Sequence, residues 1–195
     1  MNVAIIGASG YTGLELIKIL INHPKFNIVY IANSSGEMNV QDLHPCLKNV
    51  INMDVSLANA SQVAKVADLA FLALPHKTAM SFAKELLDLG VKVIDLSADY
   101  RLELETYEKH YCEHLDKEHI KDAVYGLPEY FRNDIKTAKL IANPGCYPTA
   151  SLLALLPFID YIDTDAPIFI DAKSGVSGAG KNPSETTHYC QINDN

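Results

Sequence analysis

The sequence has 195 residues, 48% hydrophobic and 21% charged, with 16 Lys and Arg against 24 Asp and Glu for a formal net charge of −8. These proportions describe a folded globular protein and exclude intrinsic disorder, collagen-like repeats and coiled coil. So acidic a chain lacks the basic footprint that nucleic acid or an anionic membrane surface requires, which leaves a small-molecule substrate as the expected partner.

Residues 2–6 read as a short buried strand, residues 14–22 as a helix with apolar positions at Leu14, Ile17, Leu20 and Ile21, and residues 28–32 as a second strand. Together they make a β-α-β unit. The pattern weakens over residues 33–65, with a short strand expected at 50–55. A strand at 69–74, a helix at 78–89 closed by Gly90 and a strand at 91–96 continue the alternation. Residues 103–121 are mostly polar and read as a solvated helical excursion outside the sheet. A strand at 139–142, an apolar helix at 149–156 and a strand at 168–172 lead into a glycine-rich loop at 173–181.

The expected fold class is therefore α/β: a Rossmann-type doubly wound parallel sheet over residues 1–145, followed by the beginning of a second α/β catalytic domain at 146–195. That second part has too few elements to bury a core and reads as cut short. The N-terminus enters a strand with no basic targeting region, and no apolar run approaches the roughly 18 residues that span a bilayer. Cys46, Cys112, Cys146 and Cys190 form no C-x-x-C pair, which fits a reducing, cytoplasmic setting.

Gly7-Ala8-Ser9-Gly10-Tyr11-Thr12-Gly13 places glycines between the first strand and the first helix, where a backbone can approach a pyrophosphate and helix N–H groups can meet its charge. The second strand ends in Ala32-Asn33-Ser34-Ser35-Gly36, with no acid before Glu37. An NAD ribose is often held by an acid at that place, so its absence favours NADP, with Ser34 and Ser35 as donors to the 2′-phosphate. Gly175 to Lys181 nearly spells a P-loop, but Asn182 lacks the magnesium-binding hydroxyl and Pro183 breaks the helix, so a substrate-covering or plain surface loop is expected.

Asn143-Pro144-Gly145-Cys146-Tyr147-Pro148-Thr149 joins a strand to an apolar helix. A cysteine at a helix start is open to thiolate stabilisation by free N–H groups, although buried cysteines are also common packing residues. Cys46, Cys112 and Cys190 lack this setting and are expected to be inert. His110 and His114 stand at helical i, i+4 spacing, but their polar neighbours favour a solvated helix over a metal site. His76 and the stretch Ser97 to Arg101 lie on the ligand edge of the sheet, as ligand contacts or loop caps. Only Arg101 and Arg132 supply guanidinium groups for an anion.

The turns at Gly7 to Gly13 and Asn143 to Thr149, with Leu72-Ala73-Leu74-Pro75-His76, Asp95-Leu96-Ser97-Ala98-Asp99-Tyr100-Arg101, Tyr125-Gly126-Leu127-Pro128-Glu129 and Lys173 to Gly180, together resemble the N-acetyl-gamma-glutamyl-phosphate reductases, relatives of the aspartate-semialdehyde dehydrogenases. The resemblance implies NADPH-dependent reduction of an acyl phosphate to a semialdehyde through a thioacyl intermediate on Cys146. It implies cofactor contacts at Gly7, Ser9, Gly10, Tyr11, Thr12, Gly13, Ser34, Ser35, Pro75, Ser177 and Gly178, and substrate contacts at Ser97, Arg101 and Asn143. It further implies an acid/base histidine beyond Asn195, a role not carried by His188, and a homo-oligomer in the longer chain. An aspartate-semialdehyde-type reductase and a non-catalytic dinucleotide sensor are the alternatives.

Overall fold

The computed structural model describes residues 1–182 and 184–189. Its elements run β1 (Asn2–Ile6), α1 (Tyr11–Leu20), β2 (Asn27–Asn33), β3 (Met38–Asn39), α2 (Val40–Leu43), β4 (Asp54–Leu57), α3 (Ala60–Val66) and β5 (Leu69–Leu72). There follow α4 (Thr78–Asp88), β6 (Lys92–Asp95), α5 (Leu104–His110), β7 (Val124–Tyr125), α6 (Pro128–Thr137), β8 (Leu140–Ala142) and α7 (Cys146–Leu155). None of the helices among the described residues is long and apolar enough to cross a membrane.

All eight strands join one sheet in the order β3-β4-β2-β1-β5-β6-β8-β7. Every neighbouring pair is parallel except β3 with β4. Side chains alternate faces along a strand, and β1 is apolar at each position from Val3 to Ile6 because both faces are covered. Val3 and Ile5 pack with Ile17, Leu20, Val40 and Leu47 on one face, whereas Ala4 and Ile6 pack with Val63, Met80, Ala83 and Leu86 on the other. The expected doubly wound sheet is thus observed. β2 and β4 extend it to one side of β1, and β5, β6 and β8 to the other, so a crevice opens where β1 and β5 end.

Met1–Asn143 and Pro144–Asn195 form two compact units. In the second, α7 is apolar without a buried face, and short 3₁₀ turns follow at Leu156–Tyr161, Val176–Ala179 and Glu185–Thr187.

Several expectations are corrected. Residues 168–172 form no strand, and Phe169 is exposed. An extended run without a neighbour has no ladder to pair its N–H and C=O groups. α1 begins at Tyr11 and α7 at Cys146, each three residues before the start expected at 14 and 149. The strand expected at 50–55 lies at Asp54–Leu57, paired with β2. Residues 103–121 are α-helical only over α5, with a 3₁₀ turn beginning at Ile120, and Tyr107, His114, Asp116 and Ile120 are buried, so the segment covers the core instead of standing in solvent.

Candidate active site

Gly7 leaves β1 with φ +92°, and its N–H and that of Ala8 both donate to Ala32 O at 2.9 and 3.0 Å. A Cβ at Gly7 would lie 2.1 Å from Ala73 O, and one at Gly13 would lie 2.5 Å from Gly7 O. These two glycines exist so that β1, β5 and α1 can approach one another. Gly10 differs: its φ is −81°, and a Cβ there would meet nothing within 4 Å. It precedes the first turn of α1, which no side chain caps; the first helical bond is Leu14 N–H to Gly10 O at 3.1 Å. Tyr11 and Thr12 stand exposed beside it. An open cradle before an uncapped helix pole fits a pyrophosphate, with Gly7, Ser9, Gly10, Tyr11, Thr12 and Gly13 around it.

Beside this turn, Asn33 is buried at the end of β2 and organises the loop that follows. Its Oδ1 accepts from Ser35 N–H at 3.0 Å and Gly36 N–H at 2.6 Å, and its Nδ2 donates to Ser9 Oγ at 3.1 Å. Ser34 and Ser35 are exposed on that loop. His44 is also buried, with Nε2 2.7 Å from Ala8 O. Nothing in the sequence pattern singles out His44, because its partner lies 36 residues away.

The loops after β5 and β6 interlock. Asp99, fully buried, accepts the N–H groups of Lys77 and Met80 at the start of α4, at 2.9 and 3.1 Å, and the Tyr107 hydroxyl at 2.8 Å. Lys77 sits there with φ +71°. His76 accepts Ala98 N–H at 2.9 Å through Nδ1, so its role in this structure is to cap that loop. Pro75 is exposed next to it. Ser97 is buried, donates to Asp95 Oδ2 at 2.6 Å and accepts Asp99 N–H at 3.0 Å. Contrary to expectation, that hydroxyl is committed to the loop and shapes the site from within. Arg101 is half-buried, its Nε donating to Asn143 O at 2.8 Å and its Nη2 to Leu96 O at 2.7 Å. Two carbonyls therefore aim the guanidinium, whose Nη1 makes no hydrogen bond among the described residues. Asn143 is tied to β6 by its N–H to Asp95 O at 2.8 Å.

His114, read from sequence with His110 as a helix pair, lies beyond α5 and is 2.8 Å from Asp99 O through Nε2, while Nδ1 accepts Asp116 N–H. Burial, then the hydrogen bond to Asp116, raises the Tyr100 phenol well above its ordinary range, and burial with the Asp99 bond does the same for Tyr107. Both remain donors in this network.

Burial pushes the Asp95 carboxyl up to about 6 against the lowering effect of two Ser97 hydrogen bonds. A carboxyl whose folded pKa exceeds its unfolded value of 3.8 holds its proton longer in the folded state. Between about pH 4 and 6 the unfolded chain ionises first, so this group's contribution to stability falls by about 2–3 kcal/mol as pH rises through that window. Asp95→Asn should therefore gain stability relative to the parent from pH 4 to 6. Urea unfolding of both proteins across the window measures this, and a constant difference would refute it.

In the second unit, Cys146 is exposed at the first position of α7 after Gly145, which supplies no side-chain cap. Thr149 N–H and Oγ1 both donate to Gly145 O, at 3.0 and 2.8 Å. Pro148 has no N–H, and those of Cys146 and Tyr147 are left outside the helical ladder. Cys146 borders two adjoining clefts of about 450 and 350 Å³. Ser174 lines both, and Gly178 lines the smaller; Ser177 lies in the same 3₁₀ turn as Gly178. The structure thus gathers the glycine turn, Ser34, Ser35, Pro75, Ser97, Arg101 and Asn143 at one edge of the sheet, and Cys146 with Gly178 around one cleft of the second unit. Cys46 is also exposed, Cys112 is half-buried against the Tyr107 hydroxyl at 3.7 Å, and Cys190 lies outside the described residues.

Residues 2–138 match the family model described as the NAD binding domain of semialdehyde dehydrogenase, and residues 146–195 match the semialdehyde dehydrogenase dimerisation domain. A curated relative from Sulfurovum sp. strain NBC37-1, N-acetyl-gamma-glutamyl-phosphate reductase, is 60% identical over the whole chain, which covers 58% of that relative. One of the same name from Geotalea daltonii is 44% identical, with 100% of the chain and 57% of the relative covered. The chain thus spans somewhat over half the length of these relatives. Among solved structures, an aspartate semialdehyde dehydrogenase with NADP from Candida albicans shares the fold at a TM-score of 0.61 and 20% identity, over 82% of this chain and 47% of that one.

Proposed function

The chain belongs to the semialdehyde dehydrogenase family, and from that premise we propose that it forms the nucleotide-binding and cysteine-bearing part of an NADPH-dependent N-acetyl-gamma-glutamyl-phosphate reductase. The reaction reduces N-acetyl-L-glutamyl 5-phosphate to N-acetyl-L-glutamate 5-semialdehyde and releases phosphate, a step of arginine biosynthesis. The observation that supports it most directly is Cys146 at the uncapped start of α7, in a chain 60% identical to a relative of that name.

In this mechanism Cys146 thiolate attacks the acyl carbon, the C–O bond to phosphate breaks, and phosphate leaves a thioacyl enzyme. The N–H groups at the start of α7 stabilise the oxyanion during that attack. NADPH, when bound, supplies the hydride that reduces the thioester. Cys146 then leaves as thiolate as the aldehyde forms. Arg101, held by two carbonyls through Nε and Nη2, offers its remaining N–H groups to an anionic group of the substrate, and Asn143 lines the same edge. Residues 1–145 serve as the cofactor domain, and residues 146–195 begin the catalytic domain, where Ser177 and Gly178 meet the cofactor. The whole protein works as a homo-oligomer in the reducing cytoplasm, where its thiol stays free.

Two measurements test this. Full-length protein should oxidise N-acetylglutamate semialdehyde with NADP in a phosphate-dependent manner; activity only with another aldehyde, or none, would refute the reading. With two serines and no acid ending β2, NADPH should bind at least about tenfold more tightly than NADH in calorimetric titration, one hydrogen bond to a charged group sufficing for that difference. Equal affinity or an NADH preference would overturn the cofactor assignment.

A further inference from the structure

We propose that His44 is a positioning residue for dinucleotide binding, holding the Ala8 carbonyl so that the pyrophosphate turn keeps its shape. The proposal rests on the cofactor reading above and deepens it. His44 follows α2, is 5% exposed and places Nε2 2.7 Å from Ala8 O. A carbonyl oxygen only accepts, so Nε2 bears the proton and donates.

The bond completes a set of restraints on the turn. Ala32 O takes the Gly7 and Ala8 N–H groups and so fixes the peptides that precede Ala8 Cα. His44 fixes the peptide that follows it. A peptide unit is planar with its C=O and N–H opposed, so directing the Ala8 carbonyl at His44 turns the Ser9 N–H to the other side of the chain. Asn33 Nδ2 then holds Ser9 Oγ at 3.1 Å. Neither side chain bonds to the first turn of α1, which is left for the ligand.

The sheet itself does not need His44. It ends a short segment whose two-residue β3 pairs only with β4 at the sheet edge. Burying an imidazole costs free energy unless its polar atoms are matched, and Nε2 finds its match in the Ala8 carbonyl of the turn that meets the cofactor.

Full-length protein and its His44→Leu, His44→Asn and His44→Gln variants would be titrated calorimetrically with NADP and with adenosine 2′-monophosphate, which lacks the pyrophosphate. Leu lacks a donor and the Asn amide stops short, so both should bind NADP about tenfold more weakly while adenosine 2′-monophosphate changes less than about twofold. Gln, whose amide reaches farther, should recover most of the loss. Equal weakening of both ligands, or a lowered melting temperature with NADP affinity unchanged well below it, would overturn the proposal. NADP binding abolished by Gly10→Val but untouched in His44→Asn would overturn the His44 role alone. Failure of the unaltered protein to bind NADP would overturn this role and the cofactor reading together.

Discussion

Cys146→Ser should leave the fold and NADPH binding intact and lower turnover of the full-length protein by roughly three orders of magnitude or more. Serine is nearly isosteric, so the α7 turn and the clefts beside it persist. Its hydroxyl, however, has a pKa far above that of a thiol, and the open N–H groups of a helix start cannot supply the missing anion. Steady-state kinetics and cofactor titration of the variant decide between this and a bystander role, since retention of most activity would remove Cys146 from the mechanism. A second readout uses the parent. Brief iodoacetamide treatment followed by mass spectrometry should label Cys146 before Cys46, although both are exposed. Equal labelling would mean that access alone, without thiolate stabilisation, governs reactivity.

The glycine turn yields two separable predictions at positions three residues apart. Gly7→Ala puts a Cβ 2.1 Å from Ala73 O at φ +92°, so β1 and β5 must separate, and stability should fall by about 3 kcal/mol or more. The Cβ of Gly10→Val meets nothing within 4 Å at φ −81°, and the change should cost no more than about 1 kcal/mol. The new side chain occupies the cradle before α1, and NADPH affinity should fall at least about a hundredfold. Denaturant unfolding and calorimetry on both variants read the two effects separately. A stable Gly7→Ala, or a Gly10→Val that binds NADPH normally, would break the distinction between packing glycine and ligand glycine.

The parallel strands were legible because burial on both faces leaves an unbroken apolar run, as in β1 and β5. The same signal misled at residues 168–172, where hydrophobicity is present but no neighbouring strand completes a ladder. Periodicity could not find the true start of α1, since Tyr11 and Thr12 are exposed and Gly13 packs without a side chain. It also missed α6, which buries none of its residues. Composition hid the segment after β6: Tyr107, His114 and Asp116 look like surface residues until their hydrogen bonds pair them inward. Of the site, the turns at Gly7 and Cys146 were visible because glycine spacing and an Asn-Pro-Gly-Cys string are local. The commitment of Ser97 to its own loop, and the contact of His44 with Ala8, depend on partners that only the fold brings near.

The Asp99 carboxylate acts as a plug. Two helices, α1 and α4, begin beside the ends of neighbouring strands, and each start is a site of positive potential that attracts an anion. Asp99 fills the one at α4 with its own carboxyl oxygen, while Gly10 brings no side chain to the one at α1. A ligand with several phosphates meets a single socket, and so cannot settle one strand out of place with its reactive end misdirected. Selectivity for one pose, as distinct from affinity, is the expected consequence of a residue that is itself fully buried.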